Sequence, residues 1–230
     1  MVNLETLENF LKKLRFPGYL SYVLMVKETK ARIKSPLFRY EQKVSSFIIK
    51  KKGSVFVDIG ANVGYYSFLL CDNFETILAV EPHPNNIRIL ETLKSRHNYS
   101  KVKVCPFAIG DKDNARVKLY IGAQCGGHSL LTYNSLLPYN GQNRKYIETR
   151  LVTLHTLLKD YPKVDLIKVD VEGAEWFVLK GAEPFLDKIQ SWIIELHNWK
   201  KRKELEEWFR SRNYTYRWLD VNHIYAERSE

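Results

Sequence analysis

The chain has 230 residues, and its 36 lysine and arginine residues exceed its 26 aspartate and glutamate residues to give a formal charge of +10. A hydrophobic content of 45% and an aromatic content of 13% exclude a disordered chain and predict one folded domain with an extension. The charge is uneven, because residues 1–53 hold 12 basic and 4 acidic side chains whereas the remaining 177 hold 24 and 22. The basic character therefore belongs to an N-terminal segment.

The N-terminal segment, residues 1–53, is predicted to be a helical, basic extension. Leucines recur at helical spacing over residues 4–14, and further helices are predicted over 19–33 and 40–49. The longest apolar stretch there, residues 20–26, is far shorter than the roughly 20 residues of a membrane-spanning helix. Basic residues beside the leucine stripe leave peripheral membrane contact open, although packing on the domain is the favoured interpretation.

Cysteine usage and the N-terminal residues indicate the compartment. Three separated cysteines form neither a disulfide framework nor a CxxC metal pair: Cys71, Cys105 and Cys125. Acidic residues precede any apolar block, so no secretory signal is predicted. The expected location is the cytoplasm, with the membrane surface left open.

From residue 54 to residue 230 the pattern is that of a single catalytic domain, in which short apolar strands alternate with helices. Strands are predicted over 54–59, 76–80, 102–109, 117–121, 164–171, 192–196, 214–219 and 223–227. Helices are predicted over 65–71, 84–95, 174–180 and 200–211, with a long loop over 122–148. This alternation predicts an α/β fold, a Rossmann-like doubly wound seven-stranded sheet that binds ligands at the carboxyl ends of its strands.

The first predicted strand runs into a glycine turn, Gly60-Ala61-Asn62-Val63-Gly64, and then into a helix. Such a turn lets a ligand approach the backbone and the free N–H groups of the helix start. The dinucleotide fingerprint does not fit, since Asn62 and Tyr65 occupy its second and third glycine positions. Asp58, just before the turn, suits a ligand that carries positive charge. Glu81, which ends the next strand, suits a ribose diol.

The later strands end in further polar residues. An adenine ring would lie against Ala108 and Ile109 at the third strand end. Alternate positions at the end of a buried strand hold Lys168, Asp170 and Glu172, so these residues share one parity and their side chains are expected on one face. Burial of such charged groups is costly unless they are paired or functional. Glu195 and His197 also share a strand parity, so both side chains can point to the same strand-end site. Glu175 lies in the first turn of a predicted helix, where the helix dipole explains an acidic residue.

These stretches resemble the FkbM family of class I S-adenosylmethionine-dependent methyltransferases. The matching segments are 56–67, 79–82, 108–111, 165–181 and 195–197. The resemblance implies that Gly60, Asn62 and Gly64 surround the methionine part of the cofactor, with Asp58 near its ammonium group and Glu81 on the ribose hydroxyls. It also assigns three more residues to the cofactor site: Pro82, Ala108 and Asp111. The tract 126–130 resembles the family's loop beside the active site.

The catalytic candidates are Asp170 first, then Glu172 and His197, because a hydroxyl acceptor must lose a proton during methyl transfer. The expected acceptor is a hydroxyl on a sugar-containing or other small molecule, with a glycan or glycolipid favoured by the family's acceptors. Asp170 and Glu172 are hard ligands that suit a divalent metal such as magnesium, but no His/Cys pair at metal spacing supports a tighter site, so no metal ligands are predicted.

Two other functions stay open. One is RNA methylation through the basic N-terminal segment, which the acidic strand end at 170–173 disfavours because it would repel phosphate. The other is a non-catalytic binding or membrane-surface module.

Overall fold

The computed structural model describes residues 41–121, 128–130 and 145–229, so the helices predicted within residues 1–40 lie outside the described part of the chain. The strands are β1 (Gly53–Ile59), β2 (Phe74–Val80), β3 (Val102–Cys105), β4 (Ala108–Gly110), β5 (Ala115–Tyr120), β6 (Tyr146–Thr153), β7 (Leu166–Val169), β8 (Ser191–Glu195), β9 (Tyr214–Trp218) and β10 (His223–Arg228). The α-helices are α1 (Gln42–Ile48), α2 (Tyr65–Leu69), α3 (Pro84–His97), α4 (Leu154–Leu158), α5 (Glu175–Ala182) and α6 (Arg202–Arg210). Short 3₁₀ turns cover Glu183–Lys188 and Trp199–Lys201.

The main sheet has seven strands in the order β3-β2-β1-β7-β8-β10-β9, which confirms the predicted doubly wound sheet. β10 runs antiparallel to both of its neighbours, and the other pairs are parallel. The register aligns Asp58 with Lys168 across β1 and β7, and Glu195 with His223 across β8 and β10. The carboxyl ends of four central strands and the start of β10 therefore share one edge.

Both faces of this sheet are covered, as a buried parallel sheet requires. One apolar cluster joins alternate strand residues such as Phe56 to α1, α2 and α3. The other joins the intervening residues, such as Val57, to α4, α5 and α6. Val44 and Ile48 of α1 are fully buried, so the last part of the predicted extension belongs to the core of the domain. Among the described helices, none is long and apolar enough to cross a bilayer.

A second, three-stranded sheet has the order β4-β6-β5 and corrects two predictions. The predicted strand 102–109 is two strands, because the chain leaves the main sheet at Pro106, which has no N–H to donate. The predicted loop 122–148 ends too late, since β6 starts at Tyr146 and pairs antiparallel with β5. Most of that predicted lid lies outside the described residues.

The strand predicted over 164–171 also ends earlier, at Val169. Glu172 has a positive φ of 53° and Gly173 one of 101°, so the chain turns sharply there instead of continuing extended. The predicted common parity of Lys168, Asp170 and Glu172 is therefore wrong for Glu172. The turn nevertheless keeps all three residues in the lining of one cavity.

Candidate functional site

A cavity of about 500 Å³ opens at the carboxyl ends of β1, β2, β7 and β8. Eight of the predicted site residues line it: Asp58, Gly60, Asn62, Glu81, Pro82, Ala108, Asp170 and Glu172. Gly64 and His197 lie behind the lining, and Asp111 lines a separate cavity beside β5. The cofactor and catalytic candidates are thus brought to one place, with Asp111 set apart from them.

The glycine turn has the backbone geometry that its sequence indicates. Gly60 and Gly64 have φ values of 80° and 90°, which favour glycine. A Cβ on Gly60 would lie 1.8 Å from the Asp170 carbonyl oxygen, so only glycine allows the end of β1 to approach the end of β7 this closely. A Cβ on Gly64 would meet the ring of Phe68 at 2.4 Å, so this position also requires glycine.

Glu81 is held at the end of β2 by two backbone donors. The N–H of Asn62 donates to Oε2 and the N–H of His83 donates to Oε1, each at 2.8 Å. Glu81 is only 4% exposed, and this burial raises its pKa to about 7, although the two N–H donors partly oppose the shift. The Asn86 side chain also hydrogen-bonds to Glu81, so the carboxyl group is fixed in place in the lining of the cavity.

Asn62 contributes a second polar group at the same turn. It adopts the left-handed conformation with φ of 52°, which directs its backbone N–H to Glu81. Its side-chain oxygen Oδ1 is buried and has no hydrogen-bond partner among the residues that the structure describes. A buried acceptor without a donor is costly, so a ligand N–H or O–H is the natural partner for this atom.

Asp58 and Lys168 form the buried charged floor of the cavity. Asp58 accepts a hydrogen bond of 2.6 Å from the Ser67 hydroxyl, and burial raises its pKa despite the nearby Lys168 ammonium. Lys168 Nζ lies 3.1 Å from Asp170 Oδ2 and 4.7 Å from the centre of the Tyr66 ring. The predicted need for a partner at this strand end is met.

Lys168 and Asp170 are both charged and form an ion pair. Burial lowers the pKa of Lys168, but four carboxylates outweigh it and raise that pKa above its ordinary value: Asp170, Glu41, Asp58 and Glu195. Burial likewise raises the pKa of Asp170, and the Lys168 ammonium with His197 more than offsets it, so the pKa of Asp170 is lowered. The first catalytic candidate is therefore a carboxylate at neutral pH.

His197 lies behind Asp170 in a group of carboxylates. Its Nδ1 is 2.8 Å from Glu175 Oε1, and its Nε2 is 3.3 Å from Glu172 Oε2 and 3.9 Å from Asp170 Oδ1. Burial lowers the pKa of His197, but the Glu175 carboxylate and its neighbours outweigh burial and raise it to about 9. His197 is therefore an imidazolium near neutral pH.

Glu175 has a larger role than the predicted helix-dipole effect. Its side chain is buried, accepts the Gly173 N–H at 2.8 Å and pairs with His197. Its position in the first turn of α5 also fits the helix dipole, which is the only effect that the sequence indicates. Its partner His197 lies 22 residues later, just beyond the end of β8, and no local pattern indicates this contact.

A second histidine–carboxylate group was missed from the sequence. His223 Nδ1 is 2.9 Å from Asp220 Oδ1, and its Nε2 points toward Glu195 and Glu41. Because β10 runs antiparallel, its first residue lies at the edge where β8 ends. A histidine at the start of a closing antiparallel strand was the available signal, and Glu41 offered none.

The described part of the tract 126–130, residues 128–130, lies beside the cavity, as the resemblance implied. His128 stacks on His83 with ring centres 4.2 Å apart, and burial lowers the pKa of His128 to about 4. The Ser129 hydroxyl donates to the Glu172 carbonyl oxygen at 2.7 Å. Burial also lowers the pKa of His83, so two stacked neutral imidazoles lie at this side of the cavity.

Known proteins with related sequences are methyltransferases by name. A protein of Beauveria bassiana (strain ARSEF 2860), named Methyltransferase 1, is 29% identical over 161 residues, 62% of this chain and 64% of that one. The Hexuronic acid methyltransferase AglP of Haloferax volcanii (strain ATCC 29605) is 26% identical over 165 residues, 69% of this chain and 63% of that one. The chain thus spans less than two thirds of the length of these relatives.

The fold and the family agree with that likeness. The crystal structure of Methyltransferase FkbM from Methylobacillus flagellatus KT matches with a TM-score of 0.54 at 20% identity, over 84% of this chain and 46% of that chain. This likeness shows the class I methyltransferase fold. The methyltransferase FkbM domain matches residues 58–217, well over half of the sequence. The chain belongs to the FkbM methyltransferase family.

Proposed function

We propose that the protein is an S-adenosylmethionine-dependent methyltransferase that methylates a hydroxyl group of a sugar-containing acceptor. The observation that carries this proposal is the Glu81 carboxylate, held by the N–H groups of Asn62 and His83 beside the glycine turn. A carboxylate fixed in this way accepts two hydrogen bonds from a ribose diol. The same cavity continues from Glu81 to the carboxylates that face the acceptor end.

The residues present fit the cofactor. The unpartnered Asn62 Oδ1 and the buried Asp58 supply acceptors for an ammonium group near the end of β1. Ala108 and Ile109 line the cavity with apolar surface on the side of Glu81, where an adenine ring would pack. The acidic lining favours a cationic ligand, whereas it opposes the phosphates of a dinucleotide.

When bound, S-adenosylmethionine would supply an electrophilic methyl group, whose bond to the sulfonium sulfur breaks as its bond to the acceptor oxygen forms, so that a neutral thioether leaves and the proton of the acceptor hydroxyl passes to a base. Asp170 is ionised and faces the cavity, so it accepts the hydrogen bond of the acceptor hydroxyl and orients it. Its lowered pKa makes it a weak base in the free enzyme. The oxygen becomes strongly acidic once it carries the methyl group, so a weak base suffices when the proton moves late.

His197 stabilises the charge of Asp170, the proposed proton acceptor. Its imidazolium, 3.9 Å from Asp170 Oδ1 and 3.3 Å from Glu172 Oε2, balances the negative charge of these carboxylates. With a pKa of about 9 it already carries its proton at neutral pH. His197 is therefore a positioning residue, and the role of base passes to Asp170, with Glu172 as the nearest alternative.

Two observations support a sugar-containing acceptor. The related Haloferax volcanii protein is named for hexuronic acid methylation, at 26% identity. The cavity presents carboxylates and amides together with two tyrosines, Tyr65 and Tyr66, and this mixture suits polyol acceptors. Neither support specifies which hydroxyl is methylated.

Two measurements test the proposal. Isothermal titration with S-adenosylmethionine is expected to show one site, weakened at least tenfold in Glu81→Ala and unchanged in Glu91→Gln, an exposed carboxylate on α3. Absence of binding at millimolar cofactor would refute the cofactor assignment. Transfer of a labelled methyl group into fractionated glycans, lipids and RNA then identifies the acceptor. Label found only in RNA would refute the sugar assignment.

A further inference from the structure

A second cluster of ligand atoms lies at the far end of the same cavity, formed by Glu41, Glu195 and His223. One nitrogen or oxygen of each residue lies within 4.8 Å of the others. His223 Nε2 is 3.5 Å from Glu195 Oε2 and 3.7 Å from Glu41 Oε2. The three residues come from the segment before α1, the end of β8 and the start of β10, so the tertiary fold is what brings them together.

The Nε2 atom of His223 is the feature that points to a ligand. His223 is 4% exposed, and Nε2 has no hydrogen-bond partner in the part of the chain that the structure describes. The distances to the two carboxylates exceed those of normal hydrogen bonds, which run to about 3.2 Å. Burial lowers the pKa of His223, but Glu195 and Glu41 outweigh burial and raise it, so the space between the three groups favours a positive charge, whether a proton on Nε2 or a bound cation.

The separations match those around a metal ion. Metal–ligand distances of about 2.1 Å place neighbouring ligand atoms of a tetrahedral site about 3.4 Å apart. The values of 3.5 and 3.7 Å lie close to this spacing. The third separation, between the Glu41 and Glu195 oxygens, is within 4.8 Å, so the two carboxylates must turn toward each other to bring all three atoms to coordination distance of one ion.

The histidine is also prepared for coordination from its other side. His223 Nδ1 lies 2.9 Å from Asp220 Oδ1, and Asp220 also accepts the backbone N–H of His223 at 2.8 Å. A carboxylate on the second ring nitrogen fixes the tautomer and ring orientation that a metal-binding histidine needs. This arrangement points Nε2 toward Glu41 and Glu195.

We infer that Glu41, Glu195 and His223 bind a divalent cation at the acceptor end of the cavity. Two carboxylates with one imidazole suit Mn²⁺ or Zn²⁺, and three protein ligands leave coordination positions for other oxygens. The role of the ion, which is to hold oxygens of the sugar acceptor, rests on the proposed function. Binding of the ion itself does not.

The test measures Mn²⁺ binding to the EDTA-treated, desalted full chain by titration calorimetry and electron paramagnetic resonance. One Mn²⁺ per chain is expected, with affinity reduced at least tenfold in Glu41→Gln and in His223→Gln. Asp220→Asn, which changes only the group behind the histidine, is expected to weaken binding about 10–100-fold. Glu172→Gln is the matched control from the neighbouring cluster of Asp170, Glu172 and His197, and it should bind Mn²⁺ like the wild type.

Three results would overturn the inference. They are no Mn²⁺ binding by the wild type at millimolar ion, unchanged binding in Glu41→Gln, and loss of binding in Glu172→Gln alone, which would move the ion to the neighbouring cluster. Should His223→Gln fail to fold in a thermal melt, Glu41→Gln decides. Titration of S-adenosylmethionine on the same samples separates the two proposals. Binding of the cofactor without binding of Mn²⁺ would refute only the cation site. Binding of Mn²⁺ without binding of the cofactor would refute only the cofactor site.

Discussion

The pH dependence of cofactor binding should report the ionisation of Glu81. Only the carboxylate form accepts hydrogen bonds from both hydroxyls of a ribose diol, because protonation converts one oxygen into a donor. Burial raises the pKa of Glu81 to about 7, so this conversion falls within the range in which the protein is easily studied. Lowering the pH from 8 to 6 should therefore weaken the binding of S-adenosylmethionine.

The expected size follows from that pKa. With a value of about 7, the ionised fraction of Glu81 falls roughly tenfold between pH 8 and pH 6. Affinity should fall about tenfold as well, which corresponds to about 1.4 kcal/mol. His128, with a pKa of about 4, and His197, with a pKa of about 9, do not change charge in this interval.

Folding stability should respond to the same group with the opposite sign. The pKa of Glu81 is higher in the folded protein than its ordinary value of 4.5, so between pH 4.5 and about 7 the folded state binds more protons than the unfolded chain. The contribution of Glu81 to stability without cofactor therefore rises as the pH falls through this window. Binding weakens at low pH while this contribution improves, a combination that general acid unfolding does not produce.

The assay is calorimetric titration of S-adenosylmethionine at pH 6, 7 and 8 with wild type, Glu81→Gln and Glu91→Gln. Glu81→Gln should bind weakly and with little pH dependence, since its amide does not titrate. Glu91→Gln should follow the wild-type curve, because Glu91 is exposed on α3. A flat wild-type profile, or an equal slope in Glu81→Gln, would refute the assignment of Glu81 to the ribose.

Three further predictions concern the turn and the catalytic cluster. Gly60→Ala should lower the free energy of unfolding in urea by at least about 2 kcal/mol, since its Cβ would meet a backbone oxygen at 1.8 Å; Gly110→Ala, which meets only a leucine side chain, should cost less, and equal losses would contradict this. Asp170→Asn should reduce the rate of methyl transfer at least about 100-fold while cofactor affinity stays within a few-fold, and full activity would remove Asp170 from the mechanism. Glu175→Gln should lower the pKa of His197 from about 9 to below about 8 in an NMR titration, and an unchanged pKa would show that Glu175 is not the dominant partner.

The strands and the cofactor turn were predictable because each depends on a short stretch of sequence. Apolar runs that end in glycine or acid identify β1 and β2, and the turn at Gly60 follows directly from its neighbours. The three-stranded sheet was harder, because β4 and β5 pair with β6 across a long intervening segment. Only Pro106, which interrupts the predicted strand 102–109, signals in the sequence that the chain changes sheets.

The side-chain pairs of the site depend on the spatial order of the strands, which periodicity does not specify. β10 lies between β8 and β9, and this order places His223 beside Glu195. Likewise His197 reaches Glu175 only because β8 follows β7 in the sheet. The sequence therefore supplied the residues at each strand end, whereas the partners of the two histidines required the fold.

Local charge, and not the formal charge of +10, determines what this cavity can hold. Seven carboxyl groups line it, those of Glu41, Asp58, Glu81, Asp170, Glu172, Glu195 and Asp220. Among the described residues of the lining, Lys168 is the one lysine or arginine. Lys168 is already paired with Asp170, so it neutralises one of these groups. Exposed charges more than about 8 Å away are screened at physiological salt, and basic residues elsewhere on the surface therefore compensate little. The proposed sulfonium and the inferred divalent cation would both reduce this excess of negative charge, whereas an acceptor phosphate would add to it.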